Sequence, residues 1–92
     1  MNAITIACPC CGYKTFSERP GEYGICPVCY WEDDPHQRKN PDYTGGANAV
    51  SLRQGQKNFQ ELGVCEPALA THVRKPYPDE HREPGWKFLE ST

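Results

Sequence analysis

Two copies of one short device, Cys8-Pro9-Cys10-Cys11 and Cys26-Pro27-Val28-Cys29, constrain this chain more than any other feature. With two residues between the cysteines, both sulfurs can face one point while intervening backbone N–H groups turn toward them as hydrogen-bond donors. The proline fixes φ at about −65° at the first corner. The chain leaves the first knuckle through Gly12, which takes positive φ freely. It leaves the second through Tyr30, which must be bent there at a cost. Fourteen residues separate Cys11 from Cys26. Cys8, Cys11, Cys26 and Cys29 are therefore the expected ligands of one metal ion. Four sulfurs close a tetrahedral sphere and leave no position for water, so the site is read as structural.

An even cysteine count also fits a disulfide framework in a secreted chain. Residues 1–7 carry no basic residue and no apolar stretch of signal-peptide length, and no run is long enough to span a membrane. The expected compartment is the cytoplasm, where thiols stay reduced and serve as metal ligands. The need for a staple is plain from composition: 92 residues, 37% hydrophobic, with nine prolines, cannot assemble much of a core. Soft sulfur ligands suit zinc or iron; zinc is the expectation, and iron in a rubredoxin-like site is the rival.

The remaining candidates carry weaker chemistry. Cys10 aligns with Val28, the position pointing away from the metal, and is read as a small, partly exposed residue rather than a reactive thiol. Cys65 is read as a buried free cysteine. His36, His72 and His81 are read as solvated, because no repeated spacing joins them into a second site. Glu32-Asp33-Asp34 is read as a solvated acidic run or turn.

Along the chain, residues 4–7, 13–16, 23–25 and 30–32 alternate like short strands around the knuckles, with a turn at Arg19-Pro20-Gly21-Glu22. The expected fold class is a small α+β zinc ribbon of short antiparallel strands with two CPxC knuckles, plus one helix and an extended Pro-rich C-terminal tail. All of it forms one domain: ribbon over 1–34, loop over 35–50, helix over 51–63 packed on the ribbon, and tail over 64–92. Tyr13, Phe16, Tyr23 and Trp31 are expected to cover the metal as the small core. Gly45-Gly46 marks a tight bend or a close backbone approach. Ser51 caps the helix with Gln54 in capping-box spacing, Gly63 ends it, and Leu52, Phe59 and Leu62 form its buried face. Gly55 in mid-helix suggests close packing. Trp86 and Phe88, two apart, are expected to pin the tail to the body or to meet another protein.

The strings Cys8 to Tyr13, Tyr23 to Asp34, Gly45 to Asn48 and Ser51-Leu52 resemble the bacterial cysteine-rich CPCC family over residues 7–63. The resemblance implies a bacterial protein with a rubredoxin-like zinc ribbon and an appended helix, its knuckle cysteines falling at Cys8, Cys11, Cys26 and Cys29. Proteins of this look occur beside bacterial toxins, which implies an immunity role for some members.

The residues admit three function classes. The first is a protein-binding module, specifically an immunity protein plugging a toxin. Glu32, Asp33 and Asp34 would then cover a basic groove, with Trp86 and Phe88 as anchors. The second, a nucleic-acid-binding ribbon, is disfavoured. Net charge is −2, with four basic against six acidic side chains in residues 1–47 and six of each in residues 48–92, so no basic stripe forms. The third is a redox protein using an iron ribbon or Cys10. No nucleophile–base pair stands out, so the chain is not expected to be an enzyme.

Overall fold

The computed structural model describes residues 5–89; Ile4 of the expected first strand and residues 90–92 of the expected tail lie outside the described residues. The fold is a small α+β arrangement built on the two knuckles. Strands β1 (Ile6–Ala7) and β2 (Lys14–Phe16) pair antiparallel, Ile6 opposite Phe16 and Ala7 opposite Lys14, with an irregularity between Ile6 and Ala7. The two knuckles share one backbone pattern. Cys8 N–H donates to the Tyr13 carbonyl at 2.9 Å and Gly12 N–H to the Cys8 carbonyl at 2.8 Å. In the second copy Cys26 N–H donates to Trp31 at 2.9 Å and Tyr30 N–H to Cys26 at 2.7 Å. Gly12 and Tyr30, at matching positions, both take positive φ, +83° and +70°. The bend expected of Tyr30 is therefore real.

The arms of the second knuckle, expected as strands, form an isolated bridge between Ile25 and Glu32 instead of a strand pair. They are joined by backbone bonds from Tyr23 N–H to Asp33 at 3.1 Å and from Asp33 N–H to Gly24 at 2.8 Å. Tyr23 at φ +61° breaks the extended backbone just before the bridge. Tyr23 also fails as a core residue, standing 49% exposed, whereas Phe16 and Trp31 are buried and Tyr13 is half-buried.

The segment 35–50 is not a plain loop. Helix α1 (Pro35–Lys39) opens it, with Asp34 as N-cap and Pro35 in the first turn. The Asp34 carboxylate accepts from His36 N–H at 2.7 Å and Gln37 N–H at 3.3 Å. Such a cap satisfies helix donors that have no internal partner, and proline suits the first turn because it lacks one. Buried Gln37 then organises the rest of the segment. Its amide nitrogen donates to the carbonyls of Tyr43, Asn48 and Val50, and its oxygen accepts from Asn48. The Asn48 amide in turn bonds both backbone groups of Glu32, as a neighbouring strand would. A Cβ on Gly46 would collide with Asp34 and Gln37, so the close approach expected of Gly45-Gly46 falls at Gly46.

Helix α2 (Leu52–Leu62) is bounded as expected. Ser51 accepts from Gln54 N–H at 3.1 Å, and Gly63 closes the helix at φ +78°. Leu52, Gly55 and Gln56 are buried and Phe59 is half-buried, but Leu62 is 58% exposed. Leu62 is thus no part of the buried face; it lines an open groove with Val28, Phe59, Val73 and Pro76. A Cβ on Gly55 would lie 3.2 Å from the Trp31 ring and 3.4 Å from Cys10 Sγ, which accounts for glycine in mid-helix.

The chain from residue 64 is not simply extended. Val64 and Cys65 are buried, Cys65 N–H donates to the Cys29 carbonyl at 2.8 Å, and a 3-10 helix spans Pro67–His72. The chain then lies against both knuckles, with Arg74 N–H bonded to Pro27 and Tyr13 bridged to Arg82. Among the buried hydrophobic residues of the described chain, only Phe16, Val28, Trp31, Leu52 and Val64 are not cysteine. The interior is organised around sulfur.

Candidate metal centre

Each knuckle turns two sulfurs inward, and packing of the two copies brings all four together. The Sγ atoms of Cys8, Cys11, Cys26 and Cys29 lie within 4.8 Å of one another, and all four residues are buried. Across the knuckles, Cys8 Sγ is 3.6 Å from Cys29 Sγ and Cys11 Sγ is 3.8 Å from Cys26 Sγ. Sulfurs about 2.3 Å from a tetrahedral ion stand about 3.8 Å apart, so these separations fit a bound ion. A disulfide requires about 2.05 Å, and the six cysteines are free thiols. Among the described residues, these four cysteines are the only group of three or more potential ligands with metal-site geometry.

Two groups outside the four sulfurs approach them as hydrogen-bond donors. Cys10 N–H points at Cys8 Sγ at 3.4 Å, the amide contact expected of the knuckle. Thr15 Oγ1 lies 3.1 Å from Cys26 Sγ, in position to donate its hydroxyl proton. Thr15 is not legible in the sequence as part of the site, because a threonine in a strand carries no special signal. Burial pushes the Cys8 and Cys29 thiols well up, while hydrogen bonds from Cys11, Cys29 and Cys8 push Cys26 far down. Burial thus opposes ionisation of Cys8 and Cys29 in the absence of a cation. A divalent ion removes that restriction, since its own charge stabilises every thiolate.

Cys10 departs from expectation. It is fully buried, not partly exposed, and its sulfur faces Gly55 of α2. Val28, its counterpart, is equally buried, so this knuckle position packs the core in both copies. Cys65 is a buried thiol as expected, and burial pushes its pKa up. His36, His72 and His81 are exposed; His72 stacks on Tyr30 with ring centroids 5.2 Å apart.

The acidic run is the largest correction at residue level. Asp33 is 1% and Asp34 4% exposed, so they form no surface patch, and Glu32 is half-buried. Asp33 accepts from Arg38 Nε and Nη2 at 2.9 and 2.8 Å and from Gly21 N–H at 2.8 Å. Asp34 caps α1 and accepts from Ala47 N–H at 2.8 Å. Burial raises its pKa, but the amides of Ala47, His36 and Gln37 outweigh this and hold it below the usual carboxylate value. Trp86 and Phe88 are half-buried and meet edge to face at 4.6 Å, and the Trp86 indole lies against Gly12 of the first knuckle.

Four convergent thiols in a closed pocket, with hydrogen bonds to the sulfurs, define a site positioned to bind a metal ion. The chain belongs to the cysteine-rich CPCC family, whose sequence model matches residues 6–80. That match runs well past Gly63, where the resemblance read from motifs stops. A comparison with curated proteins finds no match. No helix among the described residues is long and apolar enough to cross a membrane.

Proposed function

We propose that Cys8, Cys11, Cys26 and Cys29 hold one zinc ion, and that this ion is a structural fastener for a module acting by binding rather than by catalysis. The observation that carries this reading is the set of four buried sulfurs within 4.8 Å, with cross-knuckle separations matching a tetrahedral ion's edge. Four thiolates fill the sphere, so the ion keeps no open position for a substrate or water. Zinc suits the site because it takes a tetrahedron of sulfurs without redox demands. Metal analysis of protein purified from its own host tests this. One zinc per chain and a colourless solution support it, and a red protein carrying one iron replaces it with an electron-transfer reading. The buried position of Cys10 removes the support that an exposed thiol would have lent to a thiol enzyme.

The partner that we place on this module is another protein, with a bacterial toxin as the form the family resemblance suggests. Asp33 and Asp34 are turned inward, so charge cover of a basic groove is not its means. The exposed Tyr23 and Ile25, flanking Gly24 on the arm of the second knuckle, offer the apolar and aromatic surface such contacts use. A nucleic-acid role gains little from three of the five arginines, because Arg38, Arg53 and Arg74 are paired with Asp33, Asp42 and Glu80. Affinity capture from the native host, then co-expression with any toxin recovered, tests the protein-partner reading. Rescue of growth supports it; a catch of nucleic acid and no protein overturns it.

A further inference from the structure

The family match ends at residue 80, yet the chain beyond it packs on the first knuckle. Tyr13 and Arg82 form an antiparallel bridge, Lys14 N–H donates to the His81 carbonyl at 2.9 Å, and Glu83 N–H donates to Gly12 at 3.1 Å. Arg82 is the centre of this attachment. Its Nε donates to the carbonyl of the ligand residue Cys11 at 2.9 Å. Its guanidinium carbon lies 4.6, 5.1 and 5.7 Å from the ring centroids of Tyr13, Phe88 and Trp86. All three distances fall within cation–π range. Trp86 covers Gly12, so that a Cβ there would stand 2.5 Å from the indole. The exit of the knuckle is therefore glycine for two reasons, its φ of +83° and the ring above it.

We propose that residues 81–88 are a strap that closes over the first knuckle and slows release of the bound metal, with Arg82 as its positioning residue. The strap rests on the reading of the four cysteines as a metal site. A metal held by four thiolates leaves only when a proton or a competing ligand reaches a sulfur, and that requires the knuckle to open. Opening the first knuckle means detaching Arg82 from Cys11, lifting Trp86 off Gly12 and breaking the two backbone bonds beside Tyr13. A tetrathiolate zinc site carries a net charge of about −2, and a guanidinium tied to one ligand's carbonyl favours the loaded state electrostatically. The Lys14–Glu83 pair at 3.3 Å is half exposed and adds little.

The test is the rate at which the zinc-loaded full chain yields its metal to an excess of a chromogenic chelator. Groups that orient metal ligands from outside the coordination sphere commonly change affinity by about 10- to 100-fold when removed. Arg82→Ala is expected to release zinc about tenfold faster, Trp86→Ala to release it faster than wild type, and Arg82→Lys to fall between wild type and Arg82→Ala. Asp34→Ala weakens the fold at the α1 cap, whose bonds go to His36, Gln37 and Ala47 and not to the strap, and is expected to stay within about twofold of wild type. Wild-type release from Arg82→Ala overturns the strap. So does equal acceleration by Asp34→Ala, because the effect would then be general loss of stability. Should Arg82→Ala fail to fold, Phe88→Leu is read by the same criteria. A wild-type chain that takes up no metal refutes the metal reading itself, an outcome distinct from a loaded chain indifferent to the strap.

Discussion

At the scale of single residues, close approach and buried charge decide what each position tolerates. Replacing a helical glycine by alanine ordinarily gains about 1 kcal/mol. At Gly55 the new methyl group would meet the Trp31 ring at 3.2 Å and Cys10 Sγ at 3.4 Å. Overpacking costs about 1–3 kcal/mol, so Gly55→Ala is expected to lower the melting temperature while leaving the metal content unchanged. Asp33 offers a second case. Asp33→Asn keeps its size but removes the charge that receives two bonds from Arg38 and one from Gly21 N–H. A loss of about 2 kcal/mol is expected in guanidinium unfolding, with the Arg38 end only partly buried and so partly compensated by water. A surface acidic run would show a change near zero.

At the scale of elements, caps and knuckles carry local signals, and those signals are readable in the sequence to different degrees. The four ligands are legible because the chemistry of a shared ion imposes a spacing, and α2 is legible from Ser51 at one end and Gly63 at the other. Asp34-Pro35 is also a helix-start signal, but inside Glu32-Asp33-Asp34 it reads equally well as solvated charge, and α1 is hidden for that reason. Gln37 and Asn48 leave no periodic trace, since a buried amide network depends on partners distant in sequence. Asp34 also fixes a pH dependence. Its folded pKa lies below the unfolded value, so its contribution is complete above about pH 4 and is lost as pH falls through the folded value. The cost of Asp34→Asn is therefore expected to shrink as pH falls below about 4, because the wild type then loses the carboxylate that Asn lacks at every pH. Unfolding curves at about pH 5, 4 and 3 check it, and a penalty that stays constant down to the lowest of these contradicts the assignment.

At the scale of the whole molecule, the proposed ion would replace most of what a core does. The buried hydrophobic set is mainly cysteine, and the longest helix, α2, rests Gly55 on Trp31 and Cys10 beside the first knuckle. Neither knuckle closes on itself, because each supplies only two of the four sulfurs. Replacing one ligand, as in Cys26→Ser, is therefore expected to cost metal and fold together, read as loss of bound zinc and of a cooperative melt in the same sample. Structural zinc contributes on the order of 10 kcal/mol to small domains, more than most domains of this size hold in reserve.

The most direct measurement is a thermal melt monitored by far-UV circular dichroism, before and after a strong chelator removes the metal under reducing conditions. The metal-bound chain should melt cooperatively. The stripped chain should lose both the transition and the helical signal of α2, and recover them when one equivalent of zinc is returned. A stripped chain with an unchanged spectrum and melting temperature would contradict the account.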